Sequence, residues 1–204
     1  MTDRPARALS SPSTARNRDP ILEVLRPRLP DGAEVLEIAS GAGEHAVHLA
    51  AALPRVVWRP SDRDETALAS IRAWRDASGL ANLAEPAAVD AARPDAWPVE
   101  RADAVVCINM IHIAPWAATE GLMTGAGRIL PPGGLLYLYG PYREADRPTA
   151  PSNEAFDADL RRRDPAWGLR DLDAVAGLAR RHGLSLAERI EMPANNLSLI
   201  FRRR

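Results

Sequence analysis

The chain has 204 residues, 46% of them apolar, which is enough for one domain with a real core. A formal net charge of −1 gives no global pull toward nucleic acid, and no apolar run is long enough to span a membrane. A single cysteine, Cys107, excludes intrachain disulfides and thiolate zinc clusters, and the absence of lysine excludes a lysine Schiff base.

Residues 1–16 are polar, rich in Pro and Ser, without the apolar stretch of a signal peptide. They are expected to be a flexible segment of a cytoplasmic protein. Asp19-Pro20 has the form of an N-cap followed by a first-turn proline, and Ile21, Leu22, Val24, Leu25 and Leu29 supply the apolar face of a first helix. A strand is predicted over 34–39, a glycine turn after it, and a helix over 44–53. A second strand over 56–58 ends at Pro60-Ser61-Asp62. A helix over 64–77 places Leu68, Ile71 and Trp74 on one face.

Short strands are then predicted at 87–89 and 104–109, a helix over 116–130 and a fifth strand over 135–139. Residues 141–170 break this rhythm with Pro, Arg, Asp and Asn, and read as a lid-like insert with a short helix near 153–162. A helix over 171–182 is followed by strands 186–191 and 197–202 with no helix between. The arginine triplets 161–163 and 202–204 read as solvated ends, and Cys107, inside AVVCINMI, as a buried small hydrophobe. Strands alternating with helices predict one α/β domain over 17–204. Its seven-stranded sheet is mostly parallel, with helices on both faces and a C-terminal antiparallel pair.

VLEIASGAGEHAVHLA, residues 35–50, is a strand, a small-residue turn and a helix start, the form of a nucleotide-binding turn. Gly41-Ala42-Gly43-Glu44-His45-Ala46 fits the dinucleotide pattern G-x-G-x-x-[GA], and Asp62 follows Gly43 by nineteen residues, near the spacing of a ribose-binding acid. Three features favour S-adenosylmethionine (SAM) over NAD. Glu37 sits just before the turn, where a carboxylate attracts an ammonium group and repels a pyrophosphate. Asp90, with Ala91 beside it, ends the third strand and suits an adenine amine. The terminal strand–turn–strand hairpin also suits a SAM methyltransferase sheet. Ala39, Ser40, Gly41 and Gly43 would let the backbone approach the ligand.

SPSTARNRDPILEVL, VLEIASGAGEHAVHLA, WRPSD, CINMIHIAPW, LYGPYR, PSNEAFDADLRRRDPAWGLRDL and MPANNLSLIF together resemble the domain of unknown function 938 family, which includes methyltransferase-like protein 26. The resemblance runs from about Ser11 to Arg202. It implies a Rossmann-like class I SAM-dependent methyltransferase fold, with S-adenosylhomocysteine (SAH) as product, and supplies no substrate. One departure from the general class I turn stands out: Ala39 occupies the place of the first glycine. Alanine tolerates positive φ poorly, so a turn that needs positive φ there would be strained.

Methyl transfer asks the protein mainly to hold a nucleophile in line with the methyl group, so catalytic residues are less legible than binding residues. The fourth strand ends at Asn109-Met110-Ile111-His112, where a residue beside the methyl group is expected. His112 is the candidate base and Asn109 a second catalytic or cofactor-binding candidate; the competing reading of His112 is a pocket-shaping histidine bonded to backbone. Met110 and, by position, Arg16 and Asn17 before the first helix are further cofactor candidates. Trp116, Tyr139, Tyr142, Asn153, Phe156, Trp167, Asn195 and Asn196 are candidates for a small-molecule substrate pocket. His45 and His48 find no third ligand, so no metal is expected, and His182 reads as a helix-end residue. A dinucleotide-dependent oxidoreductase and a non-catalytic SAM-binding or protein-interaction module of the same fold remain the alternatives.

Overall fold

A computed structural model describes residues 5–204. Strands β1 (Glu34–Ile38), β2 (Val57–Asp62), β3 (Ala87–Ala88), β4 (Ala104–Ile108), β5 (Leu135–Gly140), β8 (Leu184–Met192) and β9 (Asn196–Arg203) form one seven-stranded sheet in the order β3-β2-β1-β4-β5-β9-β8. The first five strands are parallel. β9 runs antiparallel between β5 and β8, because a short turn, rather than a crossover helix, joins β8 to β9. The strand order reverses between β1 and β4, and open α/β sheets bind ligands at the carboxyl ends of strands beside such a switch point.

Alternation along the strands builds a core on each face. Leu36, Ile38, Val105, Cys107, Leu136, Leu138 and Phe201 face helices α4 (Trp116–Ile129) and α6 (Leu172–Arg181). Val35, Ala104, Val106, Tyr137 and Ile200 face helices α1 (Pro12–Leu25) and α2 (Glu44–Ala52). Helix α3 (Glu65–Ser78) is capped by Asp64, whose carboxylate accepts the Ala67 N–H at 2.9 Å, and ends at Gly79 in the left-handed conformation.

Helix α1 begins at Pro12, eight residues before the predicted proline start, so 12–16 are helical rather than loose; residues 1–4 of the expected flexible segment lie outside the described residues. The Glu44 carboxylate accepts the Ser11 N–H at 2.6 Å and the Ser10 hydroxyl at 2.9 Å, which fixes this start against α2. Pro20 then sits inside the helix, a placement that costs about 3 kcal/mol in an exposed helix. Burial of Ile21, Val24 and Leu25 on the sheet offsets that cost. Asp19 is correspondingly not a cap; its carboxylate lies 2.9 Å from His48.

The insert is an ordered element. Strand β6 (Tyr142–Arg143) pairs in parallel with β7 (Arg170–Asp171), and helix α5 (Pro151–Arg163) lies between them. The arginine triplet 161–163 is exposed, as expected of a solvated end, and makes surface ion pairs; Arg202 and Arg203 are half-buried. Arg161 pairs with Asp157 and Arg162 with Asp159, while Arg202 and Arg203 donate to the carbonyls of Gly133 and Gly127. No helix among the described residues is long and apolar enough to cross a membrane.

Candidate functional site

The turn after β1 is built from left-handed residues. Ala39 has φ +56°, Gly41 +55° and Gly43 +90°. Ala39 therefore carries strain that glycine would not, about 1 kcal/mol for an L-residue held there. Ser40 anchors the turn: its N–H donates to Ser61 O at 2.8 Å and its hydroxyl accepts the Ser61 N–H at 3.1 Å. At Gly43 a Cβ would meet Ile71 Cα at 3.0 Å, so α3 can close on the start of α2 only over a glycine.

A cleft of about 210 Å³ opens above this turn, lined by Ala39, Gly41, Asp62, Val89, Asp90, Ala91, Met110 and Ile113 among others. Asp62, at the end of β2, accepts the Gly41 N–H on Oδ2 at 2.9 Å and the Asp64 N–H on Oδ1 at 3.0 Å. Each oxygen keeps lone-pair capacity for a further donor, such as a ribose hydroxyl. Asp90 accepts the Ala92 N–H at 2.9 Å, and its carbonyl takes the Trp97 indole N–H at 2.9 Å. Behind this loop Gly121 of α4 is essential to the packing, since a Cβ there would lie 2.0 Å from Ala91 O. Nothing in the spacing of the sequence marked Gly121.

Glu37, Ser40 and Asn17 do not line this cleft; they lie behind it, buried. Glu37, 1% exposed, accepts the Trp58 indole N–H at 2.8 Å. Burial pushes its pKa up to about 7, against the hydrogen bonds from Trp58 and Ser40 and with help from the Asp62 charge. Asn17 lies on α1 with its Oδ1 2.8 Å from His45 Nε2, and Tyr139 sits beside Asn17 and Arg16. Burial, aided by His48 and Arg18, holds His45 down at about 4, so its ring is neutral at physiological pH. Tyr139 is thus on the α1 face rather than in a substrate cleft.

After β4, Asn109 adopts φ +61° and donates its N–H to Tyr139 O at 2.8 Å. Met110 reaches the cleft, but His112 does not. Its side chain has no exposed surface, and neither ring nitrogen finds a partner among the described residues. It packs edge-on to Tyr142 at 5.0 Å, and a Cβ on Gly140 would come within 2.3 Å of its Nε2. Burial, reinforced by Arg170, lowers its pKa to about 3, which leaves a neutral ring shaping the wall.

Two residues that sequence reasoning missed hold this region. Arg170 donates to Ile111 O at 2.8 Å, Ala114 O at 2.6 Å and Ala166 O at 2.9 Å, and its guanidinium lies 5.7 Å from the Trp116 ring. Asp157, 6% exposed, accepts from the Leu169 N–H at 2.7 Å, Arg161 at 2.9 Å and Arg143 at 3.0 Å. The insert is thereby fastened to the loop that lines the cleft.

A second cleft, of about 240 Å³, lies between the insert and the β8–β9 hairpin. It brings together Tyr142, Asn153, Asn195 and Asn196 of the predicted substrate residues. Trp116 lies under Arg170 instead, Trp167 under Arg163 at 5.1 Å, and Phe156 is exposed on α5. Among the described residues no group of three His, Cys, Asp or Glu side chains is arranged to hold a metal ion.

The first cleft fits an adenosyl amino acid on its own chemistry. It has apolar walls for a ring, a carboxylate at each of two strand ends, a turn backbone open to close approach, and a buried carboxylate behind the turn to balance an ammonium.

The architecture is that of the Rossmann-like class I methyltransferases. An O-methyltransferase family protein from Burkholderia thailandensis matches over 94% of this chain and 57% of its own, at 20% identity and a TM-score of 0.76. An O-methyltransferase family 2 protein from Planctomyces limnophilus, solved with apigenin, matches over 92% of this chain and 62% of its own, at 17% identity and a TM-score of 0.73. A candidate sarcosine dimethylglycine methyltransferase from Galdieria sulphuraria matches over 97% and 92%, at 13% identity and a TM-score of 0.73. The chain spans a little over half the length of the first of these proteins. Residues 8–203 match the family model described as protein of unknown function DUF938, and the chain belongs to that family.

Proposed function

We propose that the protein is a SAM-dependent methyltransferase acting on a small-molecule acceptor. The observation that carries this reading is the pairing of Asp62 and Asp90 at successive strand ends around one cleft, with the Glu37 carboxylate buried behind the intervening turn. When bound, SAM would supply a sulfonium-activated methyl group to an acceptor lone pair held in line with it, the sulfur being the leaving group. Asp62 would accept from the ribose hydroxyls, and Asp90 from the adenine amine beside Ala91. Glu37, whose carboxylate is within electrostatic reach of Asp62, would ionise to balance the methionine ammonium. Met110 and Ile113 would wall the cleft against water. His112 serves the site by shape, as a neutral ring under Tyr142.

Titration calorimetry with SAH, SAM and NADH tests this. Tight SAH binding, weakened about 100-fold or more by Asp62→Ala, is the expected result. NADH binding without SAM binding would reinstate the oxidoreductase. A non-catalytic SAM-binding module is the second reading, favoured by the burial of His112, the nearest candidate base. SAH binding without methyl transfer from labelled SAM to any metabolite pool would select it.

A further inference from the structure

The second cleft is a built site with a defined hydrogen-bonding sense. Asn153 is 8% exposed and donates its amide nitrogen to Asn195 O at 2.9 Å. Asn196 donates its amide nitrogen to the carbonyls of Pro193 and Ala194, at 3.0 and 3.3 Å. A backbone carbonyl only accepts, so these contacts fix both carboxamides: each nitrogen is turned to a carbonyl of the protein, and each side-chain oxygen lies on the opposite side. The Asn195 amide lies 3.2 Å from Ser152 Oγ, a hydroxyl that can donate or accept, so its sense is not fixed in the same way.

The charges around the cleft are spent on one another. Arg189 grips Glu144 through two hydrogen bonds at 2.5 and 2.7 Å, and Arg147 pairs with Glu191 at 2.6 Å. These four side chains sum to zero. The cleft thus offers amide oxygens and the Tyr142 hydroxyl, which finds no partner among the described residues, while these four charged side chains are paired.

We propose that this cleft binds an uncharged small molecule rich in O–H or N–H donors, and that a carboxylate or phosphate ester is excluded from it. Amide oxygens facing an anion would repel it, and the two arginines of the cleft are paired, Arg189 with Glu144 and Arg147 with Glu191. Calling this ligand the methyl acceptor rests on the methyltransferase reading; the recognition chemistry does not.

The test uses the full chain and ligand-observed NMR with three size-matched probe sets: neutral polyols and primary amides, monocarboxylates, and phosphate monoesters. Ala150→Trp fills the cleft from its rim without removing a hydrogen bond, and Pro148→Trp, on the exposed rim, replaces it if that variant does not fold. The expected result is binding by the neutral donors alone, weakened about tenfold by the plug. Preferential binding of either anionic set at the plug-sensitive site overturns the assignment of ligand class. Binding insensitive to both plugs, or none at all, overturns the site. SAH titration of the same sample is read separately: polyol binding without SAH binding sinks the methyltransferase reading and leaves the cleft standing.

Discussion

The two clefts are made by different means. The first is a product of main-chain geometry: left-handed turns at strand ends, with Asp62 accepting N–H groups of the β1 turn and of its own loop, and Asp90 one of its own loop. The second is a product of side chains, with three asparagines and two ion pairs drawn from the insert and a distant hairpin. A site of backbone origin tolerates little change in volume, whereas a site of side-chain origin can be re-specified without disturbing the sheet.

The largest expected effect strikes the first cleft from behind. Gly121→Ala places a Cβ 2.0 Å from Ala91 O, so the loop that carries Asp90 and Ala91 must move. SAH affinity should fall by about 100-fold, with a visible drop in Tm. Unchanged affinity would mean that the loop does not shape the site.

Arg170→Ala tests whether the insert and the β4 loop act as one body. Loss of its hydrogen bonds to Ile111, Ala114 and Ala166 carbonyls should destabilise the fold by about 2 kcal/mol and speed amide exchange over 109–116. Arg170→Lys should fail to restore protection, because an ammonium lacks the planar fork.

Glu37 gives the first cleft a pH signature opposite in sign to that of the second, where ion pairing lowers the pKa values of Glu144 and Glu191. Its folded pKa is raised, so the unliganded protein binds a proton there that the unfolded chain does not. That contribution to stability is complete below the ordinary carboxylate range and is lost as pH rises through about 7. SAH affinity should run the other way, strengthening as the carboxylate ionises. Glu37→Gln should flatten both profiles in thermal melts and calorimetry.

The smallest effect is a gain. Ala39→Gly should relieve the positive φ and raise Tm by about 2–4 °C for each kcal/mol recovered, without weakening SAH binding. A lower Tm would show that the turn is not strained.

The same contrast decides what could be read in advance. The order of strands and helices, the reversed terminal pair and the contributions of Gly41, Asp62 and Asp90 to one cleft all follow from local patterns: alternation, small-residue turns, acids at strand ends. Helix α1 was misplaced because Asp19-Pro20 is a sound local start signal, overridden by Glu44, which lies far along the chain and holds Ser10 and Ser11. Gly121 left no local trace, since its neighbour Ala91 is thirty residues away; Arg170 and Asp157 have partners four residues off, but the contacts that fasten the loops, to Ile111 and Leu169, are distant in sequence. His112 sat at the expected position, but burial, which no spacing reveals, turned a candidate base into packing.

The rim of the second cleft takes both its cations from arginine, in a chain without lysine. A guanidinium does not lose its proton in the range where proteins survive, whereas an ammonium begins to discharge near pH 10. The electrostatic lock between insert and hairpin is therefore a constant of the molecule on the alkaline side. Salt can loosen it, but rising pH cannot.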